Sequence, residues 1–164
     1  MLIKSKAIKY GDNINTDVIY PGRYLEIIDA NEMAKHAMED LDDKFHEKVK
    51  EAKIIVAGKN FGCGSSREQA ATCLKYAGIE AIIAKSFARI FFRNAINKGL
   101  LAMECKEVDR INEGDELEID VEKGEIKNLT KGEVYKFKPL PQFLLKIIKA
   151  GGLIEYLKEG KNEV

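Results

Sequence analysis

The order strand, turn, helix, strand between residues 54 and 84 constrains the fold of this chain most strongly. The apolar run Ile54–Ala57 leads into a glycine-bracketed turn at 60–69, and helical spacing from Ala70 to Tyr76 leads out of it. Gly78 is the expected left-handed end of that helix, and a second apolar run follows at 79–84. Continuous apolar runs are typical of strands buried on both faces. Strand, helix and strand within about thirty residues predict a parallel crossover unit, and hence an α/β fold.

The turn at 60–69 presents two hydroxyl groups and one guanidinium group. Ser65 and Ser66 each stand three positions before a glutamate or glutamine, so either serine could open a capping box for the helix. The alternative is an anion site, because the N-terminus of a helix attracts carboxylates and phosphates. Arg67 favours this alternative, since an arginine in a first turn opposes the helix dipole but matches a carboxylate with two parallel hydrogen bonds. Spacing alone leaves both interpretations open.

The remaining sequence predicts a single domain over residues 1–164. Apolar and polar periodicity predicts strands at 2–10 and 100–103, antiparallel strands between 115 and 137, and helices at 29–38, 44–51, 86–98 and 143–150. Asp29 and Ser86 are the expected caps of two of these helices, and Gly99 and Gly151 are expected to end two. Residues 11–17 are expected to form a loop, 23–28 a strand end or an exposed loop, and 153–157 a last helical turn before a frayed tail from Lys158.

Composition argues against several classes of function. Acidic and basic residues balance at 27 each, so no net charge favours nucleic acid or an anionic membrane. The sequence shows neither a signal peptide nor an apolar run long enough to span a bilayer, which favours a cytoplasmic location. The three cysteines are odd in number and form no C-x-x-C pair, and neither histidine has a cysteine near it in sequence. A disulfide framework and a zinc site are therefore not expected.

Three residues outside the serine pair are candidates with a second interpretation each. Asp17 could order its loop, or it could be an active-site carboxylate. Arg89 follows the second apolar strand, at the same predicted sheet edge as the serine turn, and it could equally form an ordinary surface ion pair. Cys63 lies within the serine turn and is either a small packing residue or a reactive thiol.

Several stretches together resemble one family. They are Asn15-Thr16-Asp17, Gly62-Cys63-Gly64-Ser65-Ser66-Arg67-Glu68, Lys85-Ser86-Phe87-Ala88-Arg89-Ile90-Phe91, Arg93-Asn94 with Asn97, Gly99-Leu100-Leu101, and Ala150-Gly151-Gly152-Leu153. In this order they are similar to the small subunits of 3-isopropylmalate dehydratases, the separate-chain form of the aconitase swivelling domain. The resemblance spans most of the chain.

The resemblance implies an aconitase-like β/β/α swivelling fold and a larger partner subunit, in a heterodimer or heterotetramer. It implies a [4Fe-4S] cluster held by three cysteines of that partner, with none bound by this chain. The reaction would be the dehydration and rehydration of a small 2-hydroxy dicarboxylic acid. By similarity Ser65 is the base, Ser66 binds substrate, Arg67 binds a carboxylate, and Asp17 completes the site. Because a serine hydroxyl is a poor base, helix N–H groups and Arg67 are expected to lower its pKa.

The substrate is predicted from the segment Tyr24-Leu25-Glu26-Ile27, which in this family contacts the variable group of the substrate. Homoaconitase-like relatives resemble Tyr-Leu-Arg-Thr here, and Glu26 in place of that arginine should repel an additional carboxylate. Leu25, Ile27 or Ile28 could contact an alkyl group. These residues favour 3-isopropylmalate, or citramalate, in leucine and branched-chain amino acid biosynthesis. The alternatives are a homoaconitase small subunit and a non-catalytic anion-binding module.

Overall fold

The computed structural model describes residues 1–162 and builds them around a seven-stranded sheet. The strands are β1 (Leu2–Lys9), β2 (Ile54–Ala57), β3 (Ala81–Ala84), β4 (Leu101–Glu104), β5 (Glu116–Asp120), β6 (Glu125–Asn128) and β7 (Glu133–Lys136). The helices are α1 (Thr16–Ile19), α2 (Ala30–Ala34), α3 (Phe45–Lys48), α4 (Glu68–Ala77), α5 (Arg89–Asn97), α6 (Gln142–Ala150) and α7 (Leu153–Asn162). Single 3-10 turns lie at Gly22–Tyr24 and Val108–Arg110. The α/β fold class is confirmed.

Strand β1 joins two halves of the sheet that run differently. The strand order is β4-β3-β2-β1-β5-β6-β7. The last three residues of β1, Ala7 to Lys9, pair with β2 in parallel, and β2, β3 and β4 continue in parallel. Residues 2–6 of β1 pair with β5 in the antiparallel sense, and β6 and β7 continue as hairpins. The predicted parallel crossover unit and antiparallel C-terminal region are therefore both confirmed.

The parallel half is buried on both faces. Every residue of β2 and β3 is buried, and alternate residues serve different cores, because side chains on a strand point to opposite faces. Ile55 and Ile82 pack in a core with residues of α2 and α4. Ile54 and Ile83 pack in a second core with residues of β5, β6, β7 and α6. The antiparallel strands thus cover the face that α4 leaves free, as a β/β/α arrangement requires.

Two predicted helices are shorter in the structure than in the sequence pattern. The helix capped by Asp29, whose side chain accepts from the N–H of Asn31, ends at Ala34 rather than Met38. Met38 has a φ of 60°, and its N–H donates to the carbonyl of Ile19 at 2.8 Å. This distant partner ends the helix, although the apolar spacing continues. The helix predicted at 44–51 is the single turn α3.

The other differences lie in the N-terminal loops and at the C-terminus. The loop predicted at 11–17 contains the start of α1, for which Asn15 is the cap. The segment 23–28 is an exposed loop after a 3-10 turn, one of its two predicted forms. Helix α7 continues through Asn162, so the tail does not fray from Lys158, and residues 163–164 of that prediction lie outside the described residues. No helix within residues 1–162 is long and apolar enough to cross a membrane.

Candidate active site

The candidate site is built by three loops that follow β1, β2 and β3. These parallel strands end at the same edge of the sheet, where ligands bind in open α/β folds. The loop after β2 lies in the middle and pairs with both neighbours. Its bonds to the first loop are Gly62 N–H to Ile14 O at 2.7 Å and Thr16 N–H to Cys63 O at 2.8 Å. Its bonds to the third are Phe61 N–H to Ser86 O at 3.1 Å and Ala88 N–H to Phe61 O at 2.9 Å.

Gly62 allows the middle loop to lie directly against α5. It has a φ of +83°, and a Cβ at this position would lie 2.2 Å from Cγ of Phe91. The rings of Phe61 and Phe91 meet edge to face, with centroids 5.2 Å apart. Only glycine fits both the backbone angle and the space. The contact fixes where the serines of the turn stand relative to α5.

A cleft of about 240 Å³ opens between the middle loop and α5. The polar side chains that line it are Thr16, Ser65, Ser66, Arg67, Arg89 and Asn94. The hydroxyl of Thr16 donates to the carbonyl of Ser65 at 2.7 Å and so fixes the backbone of the turn. The hydroxyls of Ser65 and Ser66 are exposed and make no hydrogen bond to any group within residues 1–162. They are free to meet a ligand.

The prediction that these serines cap the helix is wrong. Helix α4 begins at Glu68 with Arg67 in the N-cap position, and no side chain caps it. Ser86 likewise does not cap α5, since Ala88 is the N-cap and the Ser86 hydroxyl accepts from the N–H of Asn60 at 2.8 Å. Pairing between the loops, rather than the helix ends, sets the backbone of both segments. Helix N–H groups therefore do not reach the Ser65 hydroxyl as caps.

Arg67 and Asp17, which the sequence assigned to the site separately, are paired with each other. One terminal nitrogen of Arg67 lies 2.7 Å from a carboxylate oxygen of Asp17, and the other donates to the carbonyl of Tyr20 at 3.0 Å. The Arg67 side chain is 17% exposed, whereas that of Asp17 is 63% exposed. A Cβ on Gly22 would lie 3.2 Å from the guanidinium. Arg67 is thus held firmly beside the two serines by groups of this chain.

The predicted specificity segment begins in the 3-10 turn Gly22–Tyr24, which lies against the guanidinium of Arg67. The carbonyl of Tyr24 accepts from the Tyr20 hydroxyl at 2.6 Å, and the Tyr24 ring stacks on His36. Leu25 and Ile27 line a separate cleft of about 570 Å³, and Glu26 is exposed and lines neither cleft. The structure does not bring these four residues into the cleft of Ser65. Their substrate role stays a prediction.

Two residues of the cleft were not singled out from the sequence. Thr16 entered only as a loop residue beside Asp17, and its bond to Ser65 spans 49 positions of the chain, which no local pattern reveals. Asn94 belonged to the resembling blocks without a role. Ile90 and Asn94, four apart on α5, share one face of that helix and both line the cleft. This spacing could have identified Asn94 once Arg89 was placed at the sheet edge.

The cysteines of the described chain do not fit an iron–sulfur cluster. No group of three or more His, Cys, Asp or Glu side chains within residues 1–162 could hold a metal ion. Cys73 is buried in α4, and burial raises the pKa of its thiol. Burial also raises the pKa of Cys105, to about 11. Both thiols are buried, and Cys63 stands apart from them in the serine turn.

Comparison with known proteins assigns the family. Residues 5–108 match the model of the aconitase C-terminal domain. The chain is 60% identical over 159 residues to the 3-isopropylmalate dehydratase small subunit of Caldicellulosiruptor bescii, covering 96% of both chains. It is 57% identical to small subunit 1 of the same enzyme from Thermotoga maritima, again covering 96% of both. The chain belongs to the 3-isopropylmalate dehydratase small-subunit family.

A solved structure from this family has the same fold. The crystal structure of a 3-isopropylmalate dehydratase from Methanocaldococcus jannaschii is 51% identical in sequence and superposes with a TM-score of 0.93, covering 98% of this chain and 96% of that chain. The resemblance read from the sequence and the swivelling-domain fold are both confirmed. The names of these relatives do not favour the homoaconitase or binding-module alternatives.

Proposed function

We propose that this chain is the small subunit of a two-chain hydro-lyase that isomerises 3-isopropylmalate in leucine biosynthesis. One observation carries the proposal. The exposed hydroxyl of Ser65 and the guanidinium of Arg67 share one cleft, with Asp17 paired to that guanidinium, in a chain 60% identical to a 3-isopropylmalate dehydratase small subunit over 96% of its length. A hydroxyl beside a fixed cation suits proton removal next to a carboxylate.

The cleft residues divide the work of that reaction. Ser65, as the alkoxide, takes the proton from the carbon next to a substrate carboxylate and becomes the neutral hydroxyl. Arg67 stabilises the serine oxyanion electrostatically, because its guanidinium is held in place before the reaction starts. Asp17 positions Arg67 through their ion pair. Ser66 hydrogen-bonds the substrate.

The site is completed by a larger partner in this proposal. Ser65 and Ser66 are exposed, so this chain forms one side of the cleft and the other side is open to solvent. The cysteines described here do not fit a cluster, and the [4Fe-4S] cluster of the proposal belongs to the large subunit. We expect both chains to be required for activity. We also expect this chain to fold as a single domain and to function in the cytoplasm. We expect the two chains to assemble as a heterodimer or a heterotetramer.

Reconstitution tests the proposal directly. The chain is mixed with its cluster-bearing large subunit, and the alkene absorbance is followed with 3-isopropylmalate, citramalate and homocitrate. Turnover is expected only with both chains present, with 3-isopropylmalate or citramalate preferred over homocitrate. Ser65→Ala should lower kcat by about 1,000-fold or more, because the variant lacks the general base.

Ser5→Ala is the matched control. The Ser5 hydroxyl accepts from the backbone N–H of Lys53 at 2.9 Å. Ser5 lines neither the cleft of Ser65 nor the cleft of Leu25 and Ile27, so loss of its hydroxyl should leave kcat unchanged. Full activity of Ser65→Ala would remove Ser65 as the base. Absence of turnover with all three acids, in a mixture whose cluster is intact, would reject the proposed function.

A further inference from the structure

Arg89 lines the cleft of Ser65, here called the serine cleft, and has no anionic partner among residues 1–162. It lines this cleft with Ser65, Ser66 and Arg67, and it also lines a neighbouring cleft of about 470 Å³ that contains Glu104. Of the fifteen ion pairs formed among the described residues, none includes Arg89. The interpretation of Arg89 as half of a surface ion pair is therefore not supported. Its side chain is exposed and free to meet a ligand in the cleft.

Local stability does not explain an arginine at this position. Arg89 is the first residue of α5, where a positive charge opposes the helix dipole. The neighbouring backbone is already fixed without it, through Ala88 N–H to Phe61 O at 2.9 Å. Its aliphatic stem is not needed to fill a core, since the residue is exposed. The position carries a charge that the fold alone does not require.

Arg67 provides the contrast within the same cleft. Asp17 already takes one of its terminal nitrogens and the Tyr20 carbonyl takes the other. A substrate carboxylate would therefore compete with Asp17 for the same guanidinium edge. A dicarboxylic acid brings two negative charges. Without Arg89, the only cation that lines the cleft within residues 1–162 would be the already paired Arg67, and a dianion would be bound more weakly.

Resting on the proposed function, we infer that Arg89 is a substrate-binding residue that takes one carboxylate of the dicarboxylic acid. Its guanidinium forms no ion pair within residues 1–162 and can match a carboxylate with two parallel hydrogen bonds. The cleft of about 240 Å³ suits a short acid, so a carboxylate at Arg89 keeps the rest of the molecule within reach of Ser65. Arg67 then serves Ser65, and Arg89 anchors the substrate.

Kinetics of the assembled two-chain enzyme test this inference. Arg89→Gln should raise KM for 3-isopropylmalate about 30-fold, the loss expected for one charge-assisted pair, and change kcat less than about 3-fold. Arg89→Lys keeps the charge but not the fork, so its KM should rise about 5-fold. Wild-type enzyme should be inhibited more strongly by succinate than by butyrate, and Arg89→Gln should lose most of that preference. A purely structural role would not change this preference.

Arg93→Gln is the matched control. Arg93 lies one turn further along α5, is exposed, and lines none of the three clefts. It should keep the wild-type KM. Gel filtration should show that Arg89→Gln assembles with the large subunit as wild type does.

Each other outcome overturns the inference in a recognisable way. An unchanged KM in Arg89→Gln, an equal rise in Arg93→Gln, or failure of Arg89→Gln to assemble would reject Arg89 as the anchor while wild-type turnover leaves the proposed function standing. Absence of turnover by the wild-type pair would reject the proposed function, and the inference with it.

Discussion

The parallel and antiparallel halves of the sheet share strand β1 but differ in their burial and in their contribution to the site. The parallel half buries both faces, and the loops at the carboxyl ends of its strands build the serine cleft. In the antiparallel half, buried and exposed residues alternate along the strands, and none of the residues of β5, β6 and β7 lines that cleft. A buried polar network stabilises the antiparallel half instead. The side-chain amide of Asn128 donates to Asp115 at 2.9 Å and to Tyr135 at 3.2 Å.

This difference shows where sequence changes can be tolerated. Both faces of the parallel half are buried, so the packing of neighbouring side chains limits the size of nearly every side chain there. The antiparallel half covers the second core with one face and offers its other face to solvent. Glycine turns of the parallel half should therefore tolerate an added side chain less well than glycine turns of the antiparallel half.

The largest effect is expected at a glycine of the parallel half. Gly62→Ala combines a φ of +83° with a Cβ 2.2 Å from Phe91. We expect a loss of about 4 kcal/mol in the free energy of unfolding, from backbone strain and overpacking together. Urea unfolding of the chain measures it.

Gly132→Ala is the matched control in the antiparallel half. Gly132 has a φ of +69°, but a Cβ there would meet nothing within 4 Å. Only the backbone term remains, and the expected loss is about 1 kcal/mol. Equal losses at the two glycines would mean that contact with Phe91 does not distinguish the loop of the parallel half.

A smaller effect is expected where a strand residue becomes polar. Ile83→Thr in β3 keeps strand propensity but removes apolar volume and buries a hydroxyl in a fully buried strand. We expect a loss of about 2–3 kcal/mol. The counterpart Val134→Thr in β7, where the side chain is 55% exposed, should change stability by less than about 0.5 kcal/mol. A comparable loss at Val134 would show that the outer face of β7 is covered in solution.

The smallest effect is a pH dependence of the free energy of unfolding. It arises at an ion-pair cluster that connects α3 with the turn before β5. The ammonium of Lys48 lies 2.9 Å from Asp42 and 3.2 Å from Glu113, which precedes β5. Burial opposes ionisation of Asp42, but Lys48 and the Tyr10 hydroxyl together hold the pKa of Asp42 below its ordinary value of 3.8. Because the folded pKa is depressed, the stabilisation is present above pH 3.8 and is lost as pH falls through the folded pKa.

Asp42→Asn tests that pH dependence. The variant should lose about 1 kcal/mol at pH 7, and the difference from wild type should shrink below pH 3.8. Urea unfolding at several pH values between neutral and acid measures both. A difference that stays constant with pH would mean that charge is not the cause.

The sequence predicted the elements best where local signals and burial agree. The apolar runs of β2 and β3 form the predicted strands. Gly78, Gly99 and Gly151 have positive φ just after α4, α5 and α6, where the sequence predicted the helix ends. It failed where a distant group decides the backbone. Met38 leaves its helix for the carbonyl of Ile19, and Ser86 accepts from Asn60 instead of capping α5.

For the site, residue types were predictable and their partners were not. The guanidinium of Arg67 and the serines beside it were identified because their types suit carboxylate chemistry. That Asp17 already occupies Arg67 depends on two loops meeting across 50 positions of the chain, which periodicity does not encode. The free charge of Arg89 is visible only once the partners of all other charges are known.

The pairing of three loops side by side also limits how the cleft can be re-engineered. Each loop supplies backbone groups that its neighbour needs, as in the bonds of Phe61 and Thr16 to the adjacent segments. Grafting one loop from a relative would leave donors and acceptors of the other two without partners. A functional chimera should therefore exchange the segments 11–17, 58–67 and 85–89 as one cassette, with breakpoints inside the strands that precede them.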